Sequence, residues 1–536
     1  MESVGLFDYI WMGVQAVFLG PAAFEIFGVP VSITVLMTLG GFLVGIVVGA
    51  TPGLAGPIAM AIALPILISI FGVSQDALLP VLGFLIGIMK GATIGGAVPA
   101  ILFNTPGTPD AVTTTYDGHP MAQRGQAKKA LRIAHLSSVS GDTFSDVVLI
   151  FTAPFLAIMV ERYLDLPEKT ALILLSLSFV AALVGSNIWK GLIAAALGLL
   201  AAQIATGDEF YPRLTLQWQP LAGGFPVGTV ILGVLILGEV FRSMEDLIRG
   251  GVERRADPSK ADRASGDQRL RGEDLRDLAP TMGVSAVIGT IIGALPGVGS
   301  TLAATLGYST ARLRRTPAGA PPLGKGNPRG VAATEAANSA VSGANLIPVL
   351  SLGIPGNAAA VFLILAMDSI GGFNPGPSAF KFTTTSVNTE LVLAFGIFTT
   401  MLLANGFNWT IGGLFMRSVG VLARVPKHIL MPSVLLLTLT AVYVQETTMT
   451  MVVVTLAFGF LGYAMRRLDI SILPFVIAFI LGYRLEDTAR RAFEATRADP
   501  WFLFSSPVSL IFMLLAVLIV AAAFILPMIS NRSKHP

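Results

Sequence analysis

Four Pro-Gly steps hold the residues of this sequence best placed to act on a solute. They fall at Pro52-Gly53, Pro106-Gly107, Pro296-Gly297 and Pro355-Gly356, each inside an otherwise apolar region. Pro lacks an N–H and clashes with the preceding turn, and Gly tolerates unusual dihedrals, so each step is expected to unwind a helix. Unwound backbone cannot face hydrocarbon and must face protein or a watery cavity. The helix start beyond a break offers N–H groups to an anion. The freed carbonyls offer themselves to a cation. An anion site beside a cation site is what ion-coupled uptake of a carboxylate requires.

Polar side chains gather at the same places. Asn104, Thr105, Thr108 and Asp110 surround the second step, followed by Thr113, Thr114 and Thr115. Glu335, Asn338, Ser339, Ser342 and Asn345 precede the fourth, and Asn357 follows it. Glu335, Asn338, Ser342 and Asn345 are three or four residues apart and so share one helix face. A polar stripe on an apolar helix is expected to face a cavity, although a hydrated helix start would serve as well for Glu335. A single Pro-Gly step would read as a kink or a loop turn. Four of them, in two repeated pairs, read as a binding site.

The candidate substrate- and ion-binding residues are therefore Pro52, Gly53, Asn104, Thr105, Pro106, Gly107, Thr108, Pro296, Gly297, Gly299, Asn338, Asn345, Pro355, Gly356 and Asn357. Lys90, Asp110 and Glu335 are further candidates, and backbone carbonyls near Gly49, Gly293 and Gly353 are candidate Na+ ligands. Lys90 sits in an apolar helix and is expected to snorkel to an interface, with pairing to a substrate carboxylate as the sharper alternative. Asp142 and Asp146, one turn apart, are expected to stabilise a helix start or to pair with Lys128 or Arg132, rather than to relay a proton.

Other chemistries find no residues. There is no Cys, and the four His are scattered, so neither a thiolate nor a His-based metal site is expected. No His-Glu-x-x-His, paired aspartate or Ser-His set points to an intramembrane enzyme, and no Gly-x4-Gly-Lys-[Ser/Thr] loop points to ATP. No cofactor is expected. Sodium is favoured over protons as the coupling ion, because carbonyls and hydroxyls abound while carboxylates within the apolar regions are few.

The elements that position these residues are membrane helices. Hydrophobic residues are 54% of the chain and charged residues 12%, with mean hydropathy +0.75. A soluble domain carries about twice that charged fraction, so the chain is expected to be an all-α polytopic membrane protein. The net charge of +3 gives no reason to expect a nucleic-acid partner. A span needs about 20 apolar residues. Runs occur at 134–160, 170–186, 191–206, 225–241, 391–405, 429–444, 449–463, 470–483 and 508–529, with interrupted apolar regions at 31–72, 78–110, 280–311 and 330–370. Gly83, Gly87, Gly91 and Gly95 leave one bare helix face, expected to pack closely on another helix. Residues 1–30 read as a membrane-surface helix or short first span. No basic n-region precedes them, so no cleavable signal peptide is expected.

Basic residues cluster at 119–132, 242–277 and 312–329, which marks these segments as cytoplasmic and places 206–219 outside. Residues 31–241 and 280–505 then form two transmembrane repeats, joined by a charged linker at 242–279 and followed by a last span and tail at 506–536. Gly49-Ala-Thr-Pro-Gly-Leu-Ala-Gly56 matches Gly293-Ala-Leu-Pro-Gly-Val-Gly-Ser300, and Asn104-Thr-Pro-Gly-Thr108 matches Gly353-Ile-Pro-Gly-Asn357. The Pro residues of these pairs lie 244 and 249 positions apart. Segment 78–110 ends at a cytoplasmic stretch and 330–370 begins at one, so the repeats are expected to be inverted, an arrangement known from secondary transporters.

These motifs resemble the large membrane subunit of the tripartite tricarboxylate transporters, the TctA family. Asn104-Thr-Pro-Gly107, Asp117-Gly-His-Pro-Met-Ala122, Glu335-Ala-Ala-Asn338, Leu352-Gly-Ile-Pro-Gly356 and Pro375-Gly-Pro377 carry the resemblance, which runs from about residue 30 to residue 500. It implies an inner-membrane subunit that works with a small four-helix membrane subunit (TctB-like) and a periplasmic solute-binding protein (TctC-like). It further implies import of tricarboxylates or related organic acids, driven by an ion gradient through an elevator-like movement. The chain departs from the family pattern at Thr108-Pro109, where an acidic residue is common, at Lys90, and at Asp142 and Asp146. The rival reading is a stand-alone ion-coupled organic-anion carrier. A channel would lack saturable, gradient-driven accumulation.

Overall fold

The computed structural model describes residues 5–26, 28–51, 54–183, 187–204, 207–208, 211–212, 221, 223–249, 269–314, 320–383, 386–419 and 427–532. In chain order its helices are α1 Leu6–Phe18, α2 Ile33–Gly49, α3 Gly56–Phe71, α4 Gln75–Gly95, α5 Ala97–Phe103, α6 Val112–Met121, α7 Ala127–Tyr163, α8 Leu166–Leu183, α9 Ile188–Gln203, α10 Val227–Ile231 and α11 Gly238–Ile248. Then come α12 Gly272–Gly293, α13 Ser300–Arg312, α14 Pro328–Ala344, α15 Leu346–Leu352, α16 Ala358–Ser369, α17 Thr389–Phe407, α18 Gly413–Val419, α19 Lys427–Glu446, α20 Met449–Arg467, α21 Ile472–Ala495 and α22 Pro507–Arg532. Strand β1 (Ala22–Ile26) pairs antiparallel with β2 (Val29–Ser32). Among the described residues, eight helical stretches are long and apolar enough to cross a membrane, which makes this a multi-pass, essentially all-helical chain. Side-chain caps start several helices. Ser32, Asn187, Asn327, Asn357 and Asn388 each accept a backbone N–H from the first turn that follows.

The chain divides into two compact units. One comprises 1–157, 247–295 and 299–431, and the other 158–246, 296–298 and 432–536. Each unit draws on both halves of the sequence, so neither corresponds to one of the stretches 31–241 and 280–505.

The first unit is organised by small residues. Gly83, Gly87, Gly91 and Gly95 of α4 face Gly41, Gly45 and Gly49 of α2 so closely that a Cβ on Gly87 would stand 2.5 Å from the Phe42 nitrogen. One on Gly45 would stand 2.5 Å from the Ile88 carbonyl oxygen. Helix α12 meets the Ala-rich α14 in the same way, Gly289 against Ala337 and Gly293 against Val341. Close backbone approach is what small-residue stripes provide where no hydrophobic effect drives association. The N-terminal α1 has thirteen residues, about 20 Å of helix, too short to cross a hydrocarbon core of about 30 Å alone. It is fixed to this unit by Tyr9, whose hydroxyl donates toward the Thr383 and Ser386 carbonyls (2.8 and 3.0 Å) and accepts from the Asn388 N–H at 3.0 Å.

In the second unit α8 packs on α22 and α9 on α21. Between α10 and α11 the helix widens into a π-turn over Leu232–Leu237. Arg466 of α20 spans this widening, donating to the Val234 and Leu235 carbonyls at 2.9 Å each and pairing with Glu239 at 2.8 Å.

The segment 242–279, expected to be a charged linker between the halves rather than a folded domain, is helical at both ends. Helix α11 runs on to Ile248 and α12 begins at Gly272, where the Arg271 N–H donates to Asp274 at 2.8 Å. Glu273 and Asp274 stand in the first turn of α12, where acidic residues favour a helix start. Charges that lack apolar periodicity therefore belong here to helix ends as well as to a connection. Residues 250–268 lie outside the described residues, as does most of the stretch 206–219 expected outside the membrane.

Candidate functional site

The second and fourth Pro-Gly steps are built alike. Helix α4 ends at Gly95, Gly96 (φ −59°, ψ −27°) leads into the seven-residue α5, and Asn104 in the left-handed region (φ 54°, ψ 26°) stops it. The Thr105 N–H donates back to the Pro99 carbonyl at 3.2 Å. In the later copy, α14 ends at Ala344, Asn345 (φ −67°, ψ −17°) leads into the seven-residue α15, and Gly353 (φ 69°, ψ 24°) stops it. There the Ile354 N–H donates to the Pro348 carbonyl at 3.1 Å. Each helix stops at a residue in the left-handed region, closed by a hydrogen bond that reaches six positions back, and the Pro that follows cannot resume the helix. Every equivalent residue is displaced by 249 positions. Gly is needed after each Pro because the chain is crowded there. A Cβ on Gly107 would meet the Gly49 carbonyl and stand 3.0 Å from the Pro99 ring, and one on Gly356 would stand 2.9 Å from the Asn345 Cβ.

The first and third steps also match. Helix α2 ends at Gly49 and α12 at Gly293, with Thr51 donating to Val48 (3.0 Å) and Leu295 to Ile292 (3.1 Å). The next helices start at Gly56 and Ser300, neither with a side-chain cap.

Within the first compact unit these elements enclose a cavity of about 280 Å³. Four helix starts reach it: residues 55–57 at α3, the 3-10 turn after Thr108 that precedes α6, residues 299–301 at α13, and residues 357–359 at α16. Two helix faces complete it. Helix α4 contributes Met89, Ala92 and Thr93, and α14 contributes Asn338, Val341, Ser342 and Asn345. The lining is internally repeated. Residues 55–57 correspond to 299–301 at a displacement of 244. Residues 89, 92, 93 and 108–110 correspond to 338, 341, 342 and 357–359 at 249. Asn345 is left over, and Gly96 stands in its place in the earlier copy.

The two faces differ in polarity. The α4 side is mostly apolar. On the α14 side both amide atoms of Asn338 and of Asn345 are buried without a hydrogen-bond partner, as are the Ser339 hydroxyl and, across the cavity, that of Thr108. Leaving such a group unpaired costs about 1–3 kcal/mol, so these groups call for a polar partner, water or solute, in the cavity. Asp110 is the charged lining residue and accepts a hydrogen bond from Thr301 at 2.8 Å.

Buried charge surrounds this cavity. The Lys90 ammonium lies 2.8 Å from Asp142, 2.7 Å from Asp146 and 3.2 Å from the Asn405 side-chain oxygen. All three of its donors are used. Lys90 therefore does not snorkel, and it reaches neither an interface nor the cavity. Its Asp partners stand in the middle of α7, not at a helix start, and meet α4, α14 and α17. Glu335 is fully buried and accepts from Thr114 (2.5 Å) and Ser138 (2.9 Å), which ties α14 to α6 and α7 and excludes a hydrated helix start. Asp117 accepts the N–H groups of Gly324, Gly326 and Asn327 (2.9, 2.7 and 2.7 Å) and the Tyr308 hydroxyl (3.0 Å), so it pins the turn that leads into α14.

Of the residues singled out in the sequence, Thr108, Asp110, Gly299, Asn338, Ser342, Asn345 and Asn357 line the cavity. Asn104, Thr105, Pro106, Gly107, Pro355 and Gly356 form the turns beside it instead. Asn104 is exposed and serves as a helix stop, a backbone role that Asn tolerates. Pro296 and Gly297 belong to the second compact unit. Pro52 and Gly53 lie outside the described residues. Gly49, Gly293 and Gly353 do not line the cavity, and no group of three or more His, Asp or Glu fit to hold a metal occurs among the described residues. The premise that carboxylates are scarce inside is corrected: Asp117, Asp142, Asp146, Glu168 and Glu335 are all buried. The lining residues missed in the sequence are mostly small or apolar, among them Ala55, Met89, Ala92 and Ala358. The repeat offset points to several of them once one copy is known.

The profile of the Tripartite tricarboxylate transporter TctA family matches residues 35–477. A protein of Agrobacterium vitis described as "Uncharacterized 52.8 kDa protein in TAR-I ttuC' 3'region" is 29% identical over 453 residues, covering 82% of this chain and 84% of that protein. A second from the same organism, "Uncharacterized protein in TAR-II ttuC' 3'region", is 29% identical over 252 residues, 46% of this chain and 97% of that protein. No solved structure matches the chain.

Proposed function

We propose that this chain, which belongs to the tripartite tricarboxylate transporter TctA family, is the large transmembrane subunit of a binding-protein-dependent secondary transporter that imports tricarboxylates or related organic acids. Membership makes it a membrane component of tricarboxylate transport. The finer reading is ours. The observation that carries it is the pair of partnerless carboxamides, Asn338 and Asn345, facing a cavity onto which four helix starts open. Helix N-termini and amide donors favour an anion, and a carboxylate would satisfy both.

In this reading the solute is held by Thr108, Asn338, Asn345, Asn357 and the first-turn N–H groups at Gly299 and Thr108. The turns at Asn104–Gly107 and Pro355–Gly356 hold those groups in place. The stretches 31–241 and 280–505 are inverted repeats, and the cavity-bearing unit moves in an elevator-like manner. A gradient of sodium or protons drives import. A small membrane subunit and a periplasmic binding protein complete the system in the bacterial inner membrane, the binding protein choosing the acid and delivering it.

Proteoliposomes test this directly. The chain with its small membrane subunit is reconstituted, and radiolabelled citrate and other di- and tricarboxylates are offered with and without the binding protein, under sodium, proton or no gradient. Accumulation that needs both the binding protein and an ion gradient is expected. Undiminished accumulation by the chain alone would favour a stand-alone carrier, and equilibration without accumulation would contradict both.

A further inference from the structure

Beneath the α14 face of the cavity lies a charged cluster that solute binding does not use. It contains one cation, Lys90 from α4, and two carboxylates, Asp142 and Asp146 from α7. Both Asp residues are at most 2% exposed and Lys90 is 1% exposed. The neutral groups facing them are Asn405 from α17, which donates to Asp146 at 2.7 Å, and Ser342 from α14, which donates to Asp142. Among the described residues, no second cation meets the two Asp. The cluster is thus one positive charge short of neutrality in a site that water does not reach, where an uncompensated charge is costly.

One atom shows where that charge can go. The Asp146 Oδ1 is buried without any partner. It lies against Gly343 of α14, so closely that a Cβ there would collide with it. A sodium ion needs several oxygens at once, whereas Asp142 Oδ1 already receives Lys90 and Ser342 and Asp146 Oδ2 receives Lys90 and Asn405, and no group of three or more His, Asp or Glu fit to hold a metal occurs among the described residues. A proton needs one.

We propose that the Asp142–Asp146 pair is a proton-binding site, holding one exchangeable proton that neutralises the cluster, and that α14 links its occupancy to the cavity. The proton adds to a carboxylate oxygen to give the neutral carboxyl, and leaves again to water in the cavity. Ser342 supplies the path, since its hydroxyl lines the cavity and touches Asp142. Because the two carboxylates share Lys90, the proton belongs to the pair rather than to either residue. The coupling role rests on the transport reading; the proton site itself does not.

Infrared difference spectroscopy on the purified full chain, without solute, across a pH titration is the test. A carboxyl C=O band is expected that disappears in Asp146→Asn or Asp142→Asn. Asp146→Asn reproduces the neutral cluster and is expected to fold. Ser342→Ala, which removes one hydrogen bond to the pair, is expected to shift the band and serves if the Asn variants do not fold. Spectra of folded variants identical to the parent would overturn the site. In proteoliposomes loaded with a pH dye, Asp146→Asn is expected to abolish the proton movement that accompanies citrate entry. Unchanged proton movement would overturn the coupling. If the parent takes up no carboxylate at all, the transport reading fails, while the infrared result still decides the proton site.

Discussion

Two buried residues make the residue-scale case, Asn338 by what it lacks and Asp117 by what it holds. The Asn338 amide has no partner in the protein, so in the bound state it is free to donate to a carboxylate. A hydrogen bond to a charged group contributes about 1.5–3 kcal/mol. Asn338→Ala is therefore expected to weaken uptake affinity by about 10- to 100-fold without loss of folded protein, measured as the half-saturating concentration in proteoliposomes. Asp117 takes four donors and should act on stability instead. Asp117→Asn turns one acceptor oxygen into a donor facing backbone N–H groups, a loss of about 1–3 kcal/mol, expected as a lowered unfolding midpoint in detergent. Asn338 and Asn345 could be read from their spacing on one helix face. The partners of Lys90 could not, because they lie 52, 56 and 315 positions away and nothing local distinguishes a snorkelling lysine from a paired one. Asn104 misled because its side-chain chemistry suggests a ligand, whereas its use is conformational.

Helix-scale packing was the most legible part of the fold. Glycines at every fourth position of α4 announce a bare face, and the structure supplies its partner in Gly41, Gly45 and Gly49 of α2, which share that spacing. Gly87→Val places two methyl groups against the Thr38 and Phe42 backbone, which cannot yield without separating the helices. Overpacking of this kind costs about 1–3 kcal/mol or more, so the variant is expected to unfold at lower temperature, while Gly406→Val, where a Cβ meets nothing within 4 Å, is expected to change little. Gly107→Ala should cost more than its single methyl suggests, because the turn at Pro106 is fixed by the Gly49 carbonyl on one side and the Pro99 ring on the other. The seven-residue helices α5 and α15 were not foreseen. Pro-Gly was read as a break within a helix, but the second and fourth steps lie just after a left-handed stop, and φ/ψ of that kind is hard to read from Asn104 or Gly353 without their hydrogen bonds.

At the scale of the molecule the repeat is the organising fact. Nine lining residues of the cavity have nine counterparts at offsets of 244 or 249, so two similar helix-turn patterns line one cavity. The repeat motifs were visible in the sequence. The division into interleaved compact units was not, since it depends on contacts between distant segments. The central claim is that the solute occupies this cavity, and the absence of Cys from the chain allows it to be tested with single introduced thiols. Thr93→Cys and Ala358→Cys place a thiol on the lining, and Leu313→Cys, 85% exposed, serves as the control. Thiol-reagent labelling is followed in the reconstituted system with and without the carboxylate it transports. The account predicts that the solute slows labelling at Thr93→Cys and Ala358→Cys and leaves Leu313→Cys unchanged. Equal labelling rates at all three positions, under conditions where uptake proceeds, would contradict it.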